Sequence, residues 1–193
     1  MGWFALALPE DAGGSGLSAV EHALFFREIG RQCGPVDVLA QALAANLAQD
    51  ADVRSAIVSG ENGVALLMPD GDAHRLIGPA NAHHGLLASP GGASLHELAN
   101  TNVEPRAALD PANSLAVIAG LGPAAQTLDG PLIWQLGQVG TAAILLGMAE
   151  AALDLIAVLD IRAGVVDRGW KPRDRVIEAL PPALTPAFAV TGS

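Results

Sequence analysis

From Pro131 to Ala149 the chain carries no charged residue, and the apolar pattern runs on to about Leu159. A stretch of that length is either a membrane span or a helix enclosed by other elements. Gln135 and Gln138 interrupt it, Pro131 opens it, and Glu150 and Asp154 close it on the same helix, which favours enclosure over a span. At the standard rise it measures on the order of 40 Å. Ala143, Gly147 and Ala151, four apart, form a smooth groove where another helix can approach closely, with Leu132, Leu136, Val139, Ile144 and Leu145 as bulk around it. Hydrophobic nearly all round, this helix needs more neighbours than the rest of the chain supplies. That points to a partner subunit.

The N-terminal end is equally specific. An apolar run from Gly2 to Leu8 stops at Pro9, turns through Glu10, Asp11 and three glycines, and enters a helix at Ser18. Ser18 and Glu21 have the spacing of a capping box, in which each side chain satisfies the other residue's amide. Val20, Ala23, Leu24 and Ile29 then fall near one helical face, widened by Phe25 and Phe26, and Gly30 with Gly34-Pro35 ends the helix. A second helix, from about Val36 to Gln49, places Leu39, Leu43 and Leu47 four apart, with Asp50 and Asp52 at its end and a short helical turn from Arg54 to Val58.

These segments resemble the acyl-CoA dehydrogenase family, which shows a Gly-Trp, a Pro-Glu-x-x-Gly-Gly turn and a Glu-x-Gly-Arg-x-x-x-Pro helix end in this order. Here they read Gly2-Trp3, Pro9-Glu10-Asp11-Ala12-Gly13-Gly14 and Glu28-Ile29-Gly30-Arg31-Gln32-Cys33-Gly34-Pro35. Leu109-Asp110-Pro111 is similar to a motif before a strand of the family's middle domain. Gly147 to Leu155 looks like the first long helix of its C-terminal bundle. The resemblance covers about residues 1 to 158.

A rival reading starts from Gly14, Gly16 and Ala19, which satisfy a G-x-G-x-x-A spacing with Asp37 further along. A dinucleotide fold needs those glycines at the strand-to-helix turn, where backbone amides cradle a pyrophosphate. Pro9-Glu10-Asp11-Ala12 intervenes instead, placing two acids beside the would-be phosphate, so a tight connection without ligand contact is the better reading. Ser15 lacks the nucleophile-elbow pattern, because Leu17 stands where glycine is required.

Between Gly60 and Gly130 short apolar runs alternate with turn chemistry such as Glu61-Asn62-Gly63, Pro69-Asp70-Gly71-Asp72 and Ser89-Pro90-Gly91-Gly92. Strands are predicted over Val64–Met68, Gly85–Ser89, Ala93–Leu98 and Leu115–Ile118, forming a small antiparallel unit. The net charge of −10 argues against nucleic acid, whose phosphates repel an acidic chain. Aromatic content of only 4% against 51% hydrophobic residues suggests helices packed through small side chains. A lone cysteine, Cys33, excludes an internal disulfide framework, fits a reducing cytoplasm and reads as a partly buried filler at a helix end. No basic region precedes the opening apolar run, so no cleavable signal is expected. His74, His83, His84 and His96 lie near Asp70 and Asp72, but no two stand at a ligand spacing, and no metal site is assigned. Glu150 and Asp154, one turn apart, read as helix-surface residues or contacts to an adjacent subunit.

The resemblance implies FAD-dependent α,β-dehydrogenation of acyl-CoA thioesters, in which a glutamate takes the α-proton and flavin the β-hydride. The family's flavin-contacting Thr-Glu-Pro and Gly-Ser-Asp motif is absent, Met68-Pro69-Asp70-Gly71-Asp72 being the nearest imitation and not a match, and Trp134 is followed by Gln135 rather than by a hydroxyl residue. The family's glutamate base belongs deeper in the bundle than this chain reaches, and its first N-terminal helices precede the Gly-Trp. The end departs further. Asp160-Ile161-Arg162-Ala163 stands where the family has an arginine followed by Gln-Phe-Gly. The segment 161–193 holds five of the ten basic residues, and Pro172, Pro181, Pro182 and Pro186 forbid a long helix there. A frame lost near Val158, or a truncated homologue with an unrelated end, accounts for it.

The sequence therefore predicts an α+β chain. Residues 1–52 form a partial N-terminal helical domain and 53–130 a reduced antiparallel β domain. Residues 131–160 form the first helix of a C-terminal bundle, and 161–193 an atypical tail. The expected function is that of a cytoplasmic acyl-CoA dehydrogenase subunit without its own base. It resembles the non-catalytic chain of heteromeric enzymes of sterol side-chain or fatty acid degradation, with FAD and acyl-CoA at a face shared with a homo-oligomeric or heteromeric partner. No catalytic residue is assigned, and cofactor-binding residues stay unassigned. A non-enzymatic interaction module or decayed fragment is the alternative. A nucleotide-binding protein relying on Gly14 and Gly16 is a third.

Overall fold

The computed structural model describes residues 2–79, 81–108 and 114–163, with side chains to residue 156. Leu109-Asp110-Pro111 and the tail from residue 164 lie outside the described residues, as does the side chain of Arg162.

The opening apolar run is not a strand. It forms two short 3-10 turns, Trp3–Ala5 and Glu10–Ala12, and the glycine segment folds back on it. Ser15 N–H donates to the Ala5 carbonyl, Gly16 to Leu8 and Leu17 to Leu6. A side chain at Gly14 would overlap the Leu8 carbonyl oxygen, which explains glycine there through close backbone approach. The dinucleotide reading fails on this point, because no strand leads into Gly14.

Helix α1, Ala19–Arg31, begins at the expected capping box: the Ser18 hydroxyl accepts from Val20 N–H, and Ser18 N–H donates to Glu21 Oε2 over 2.9 Å. Its buried face differs from the predicted stripe. His22, Phe26 and Gly30 point inward, while Val20 and Leu24 are 64% and 55% exposed. Residues 22, 26 and 30 are four apart, so glycine and histidine occupy positions where apolar bulk was sought. Helix α2, Asp37–Leu47, buries Ala40, Leu43, Ala44 and Leu47. Asp50 is the N-cap of a separate helix α3, Ala51–Ser59, its carboxylate accepting from Asp52 and Val53 N–H.

Seven strands follow: β1 Val64–Asp70, β2 Ala73–Ile77, β3 His84–Ser89, β4 Gly92–Glu97, β5 Val103–Arg106, β6 Leu115–Ile118 and β7 Ala124–Asp129. They form one sheet in the order β5-β6-β2-β1-β3-β4-β7. Every neighbouring pair is antiparallel except β1 with β3, which run parallel, so the sheet is mixed. The unpredicted strands are β2, β5 and β7. Both β5 and β7 are edges, where Pro105 and exposed polar residues are tolerated and the apolar pattern fades.

The sheet has two unlike faces. Val64, Leu86, Ala93 and Leu95 pack with Ala44, Leu47, Ile57, Ile133 and Leu136 beneath the helices. On the opposite face Ala65, Leu67, Leu76, Ala116 and Ile118 gather with Ala82 and Leu98 from the loops. Helix α4, Leu132–Ala163, lies over α1 and α2.

Candidate functional site

Two regions concentrate polar chemistry. The first is the crossing of α1 and α4. Gly147 meets the backbone of α1 at Arg27 and Arg31, and Gly30 meets the α4 backbone at Ile144. The predicted Ala143-Gly147 groove is therefore filled by α1 of the same chain, with Ala143 and Ile144 buried against Phe26 and Ala42. Close approach of the two backbones also brings their charges together. Arg27 holds Glu150 with Nε–Oε2 and Nη2–Oε1 bonds of 2.8 Å each. Arg31 adds a 3.4 Å contact to Glu150 and a 3.0 Å bond to Asp154. Glu150 and Asp154 are thus intrachain partners of α1. Arg27 and Arg31, which the sequence reading did not single out for this, complete the pairs.

The Arg27 bonds hold the Glu150 carboxyl below its ordinary value of 4.5 against the opposing effect of burial. Its contribution is complete above that ordinary value and fades as pH falls through the lowered one. Glu150→Gln is expected to cost about 1–2 kcal/mol at neutral pH, with the gap to the parent closing below the ordinary glutamate range. Urea unfolding at a series of pH values measures it.

His22 sits in this helix junction, 1% exposed and 4.6 Å centroid to centroid from Phe26. A Cβ at Gly140 would stand 3.3 Å from its Nε2 and would collide with Leu39, so the glycine makes room for the ring. Burial pushes the imidazole below its usual range, the Leu136 carbonyl pulling the other way. Among the histidines this is the one the sequence reading passed over, because it lies amid an apolar helix rather than in the His-rich segment.

The second region is a groove of about 310 Å³ on the helix-free face of the sheet, at the ends of β1, β3, β4 and β7. Pro69, Leu87, Ser94, Thr127 and Asp129 line it. Leu87, Ser94 and Thr127 stand opposite one another on three adjacent strands. Pro69 comes from the end of β1. Beside the groove, Ser94 and His96 lie two apart on β4 and so share a face. The Ser94 hydroxyl is 2.9 Å from His96 Nε2, and His96 Nδ1 is 2.8 Å from the Gly122 carbonyl oxygen.

The other candidates do not converge. His74 lies on β2, and His83 Nδ1 accepts from Gly63 N–H. His84 is buried on β3, where desolvation lowers its pKa. Asp70 pairs with Arg75 over 2.9 Å. Among the described residues no group of three or more His, Cys, Asp or Glu is placed to hold a metal ion. Cys33 is exposed rather than partly buried, and its φ of 49° places it in the left-handed region beyond the end of α1. Trp134 is half-buried on α4.

On its other side α4 is bare. Leu132, Leu145 and Leu155 are 58%, 61% and 59% exposed, and Leu146, Met148 and Ile156 lie open beside them. By length and composition Leu132–Ile156 could cross a membrane, with a mean hydropathy of 1.7. Its seated stripe on α1 and α2 has the character of a core helix on that side.

Comparison with known proteins agrees with this architecture. Residues 1–52 match the sequence model of the acyl-CoA dehydrogenase N-terminal domain. No curated protein sequence matches the chain. Among solved structures, a variant of the Tcur3481-Tcur3483 steroid ACAD is 26% identical with a TM-score of 0.56, covering 81% of this chain and 54% of that one. The ChsE4-ChsE5 complex from Mycobacterium tuberculosis is 20% identical with a TM-score of 0.56 over the same shares. PigA with FAD and proline is 16% identical with a TM-score of 0.58, covering 80% of this chain and 56% of that one. The last two establish likeness of fold. The chain spans about half the length of the structures it matches. The N-terminal match, the linked motifs at residues 2–35 and the shared fold together make this chain similar to the acyl-CoA dehydrogenase family, most specifically over its first 52 residues.

Proposed function

We propose that this protein is a cytoplasmic subunit of a heteromeric acyl-CoA dehydrogenase, acting on steroid or fatty acyl thioesters, that does not supply the catalytic base. The observation that carries the reading is the bare side of α4. Seven large apolar side chains of one helix stand 38% to 61% exposed, while the opposite stripe is tightly seated on α1. An apolar strip of that extent on a long helix fits a partner subunit of similar helical build. The steroid ACAD and the ChsE4-ChsE5 complex, both two-component by name, support a heteromeric arrangement.

The described residues that line the groove do not by themselves fit FAD. A flavin dinucleotide brings two phosphates, which call for cationic side chains or free amide donors. The groove at Pro69 offers the carboxylate of Asp129, and among the described residues that line it there is no Lys or Arg. Arg75, on the neighbouring hairpin, is engaged by Asp70. Flavin and acyl-CoA in such an assembly would therefore depend on residues of a partner.

Purified alone, the chain is expected to be colourless. Co-expressed with a full-length homologue encoded beside it, it is expected to co-purify in a complex that shows flavin absorbance. Leu145→Glu, on the exposed side of α4, should leave the circular dichroism spectrum unchanged and abolish co-purification. Co-purification without colour in either partner would instead favour a non-enzymatic interaction module, and no complex at all would overturn both.

A further inference from the structure

We infer that Ser94 and His96 form a nucleophile–base pair able to accept an acyl group from an activated ester. The hydrogen bonds define the tautomer. The Gly122 carbonyl can only accept, so His96 Nδ1 carries the proton in the 2.8 Å contact. Nε2 of the neutral ring is then an acceptor, and the Ser94 hydroxyl donates to it across 2.9 Å. This is the order that activates a serine: hydroxyl to imidazole, imidazole oriented by a fixed oxygen on its far side. The backbone reinforces the aim. Leu95 pairs with Gln126 but His96 pairs with Ala124, so β7 carries an extra residue opposite this step. Such bulges redirect side chains and recur beside active sites. His96 is 8% exposed, and the half-buried Ser94 lies on the wall of the groove with Leu87 and Thr127, so the base is shielded while the serine borders the groove.

The chemistry balances without a cofactor. Ser94 Oγ attacks the ester carbonyl carbon as its proton passes to His96 Nε2. The carbonyl–leaving-group bond breaks, the leaving group departs with the bonding pair, and the proton is returned to it or to solvent from His96. Water, deprotonated by the same nitrogen, then attacks the acyl carbon, the acyl–Oγ bond breaks as His96 returns the proton to Oγ, and the acid is released. Strand β4 is paired on both sides, by β3 and β7, so its amides are committed to the ladder rather than to an oxyanion. Both steps are slowed by this, but an activated ester has a far better leaving group than the serine ester formed from it, so acylation should outrun release, giving a burst of one acyl group per chain and slow turnover.

The full chain is treated with p-nitrophenyl butyrate, and nitrophenolate release is followed together with the intact mass and peptide map. A burst with butyryl on Ser94 is expected. Ser94→Ala should abolish it, and His96→Gln should slow it by about 100-fold. Circular dichroism verifies that each variant is folded. If His96→Gln unfolds, the Ser94→Ala comparison decides alone. Absence of a burst, or a burst unchanged in Ser94→Ala, overturns the proposal. A His96→Gln variant that is folded and reacts at the parent rate overturns the role of the imidazole.

Discussion

Gly147→Val is expected to destabilise the protein by at least about 3 kcal/mol and to lower its melting temperature by about 10 °C. A Cβ at this position would overlap the Arg27 carbonyl oxygen and stand 2.8 Å from the Arg31 nitrogen. Both obstacles are backbone, so no rotamer change relieves them, and α1 must move away from α4. That movement stretches the Arg27–Glu150 and Arg31–Asp154 bonds and opens the cluster of Phe26, Ala42, Ala143 and Ile144. The reciprocal glycine, Gly30, faces the Ile144 carbonyl carbon at 2.8 Å from its would-be Cβ, so Gly30→Ala should act through the same separation and add less than its full cost in combination. Gly137→Ala on the same helix is the control. Its new methyl would meet only the tip of Leu43, at 3.2 Å, and the better helix propensity of alanine, worth about 1 kcal/mol, should leave it neutral or stabilising. Urea and thermal unfolding followed by circular dichroism distinguish these outcomes. A Gly147→Val protein as stable as the parent would mean that the two helices do not cross at these residues.

Gln41→Leu should be nearly as damaging although it places an apolar residue in an apolar setting. Gln41 is 7% exposed and links three elements. Its Nε2 donates to the Ile57 and Asn62 carbonyls at 2.8 and 2.7 Å, and its Oε1 accepts from Val64 N–H at 2.8 Å. Helix α2 thereby holds both the end of α3 and the first residue of β1. Leucine of similar size leaves the Asn62 carbonyl and the Val64 amide without the bonds Gln41 made, and the Ile57 carbonyl with only the Gly60 N–H, at about 1–3 kcal/mol for each group left unpaired. The expected loss is about 3–5 kcal/mol, seen as a fall in melting temperature of about 10 °C or more. Gln41→Glu should be at least as damaging at neutral pH, because a buried carboxylate can still accept from Val64 but sets a charged oxygen against the two carbonyls. Hydrogen exchange adds a local readout: the Val64 amide should lose protection before the centre of the sheet does.

Much of the fold was legible because it depends on neighbours in sequence. The Ser18–Glu21 box, the Leu43 and Leu47 positions and the four buried or half-buried strands all come from short-range chemistry or period, whereas Asp50, read as the end of the second helix, caps the third. The candidate site was less legible. Ser94 and His96 stand in a run that also reads as an ordinary strand, and their pairing needs Gly122, which arrives from a loop 26 residues away. The α1 stripe was misjudged for a related reason. Val20 and Leu24 carry the apolar signal, whereas the inward face depends on Gly30 and His22, whose roles exist only opposite Ile144 and Gly140.

By itself the chain of residues determined the start of α1, the long uncharged helix and the linked N-terminal motifs that resemble the acyl-CoA dehydrogenase family, since caps, turns and apolar periods act over a few residues. Only the tertiary structure decided which side of α4 is spent within the chain and which is left bare, and that Glu150 belongs to Arg27 across 123 residues. Those choices rest on where two backbones can touch. A glycine's close approach is silent until the partner's carbonyl is in place.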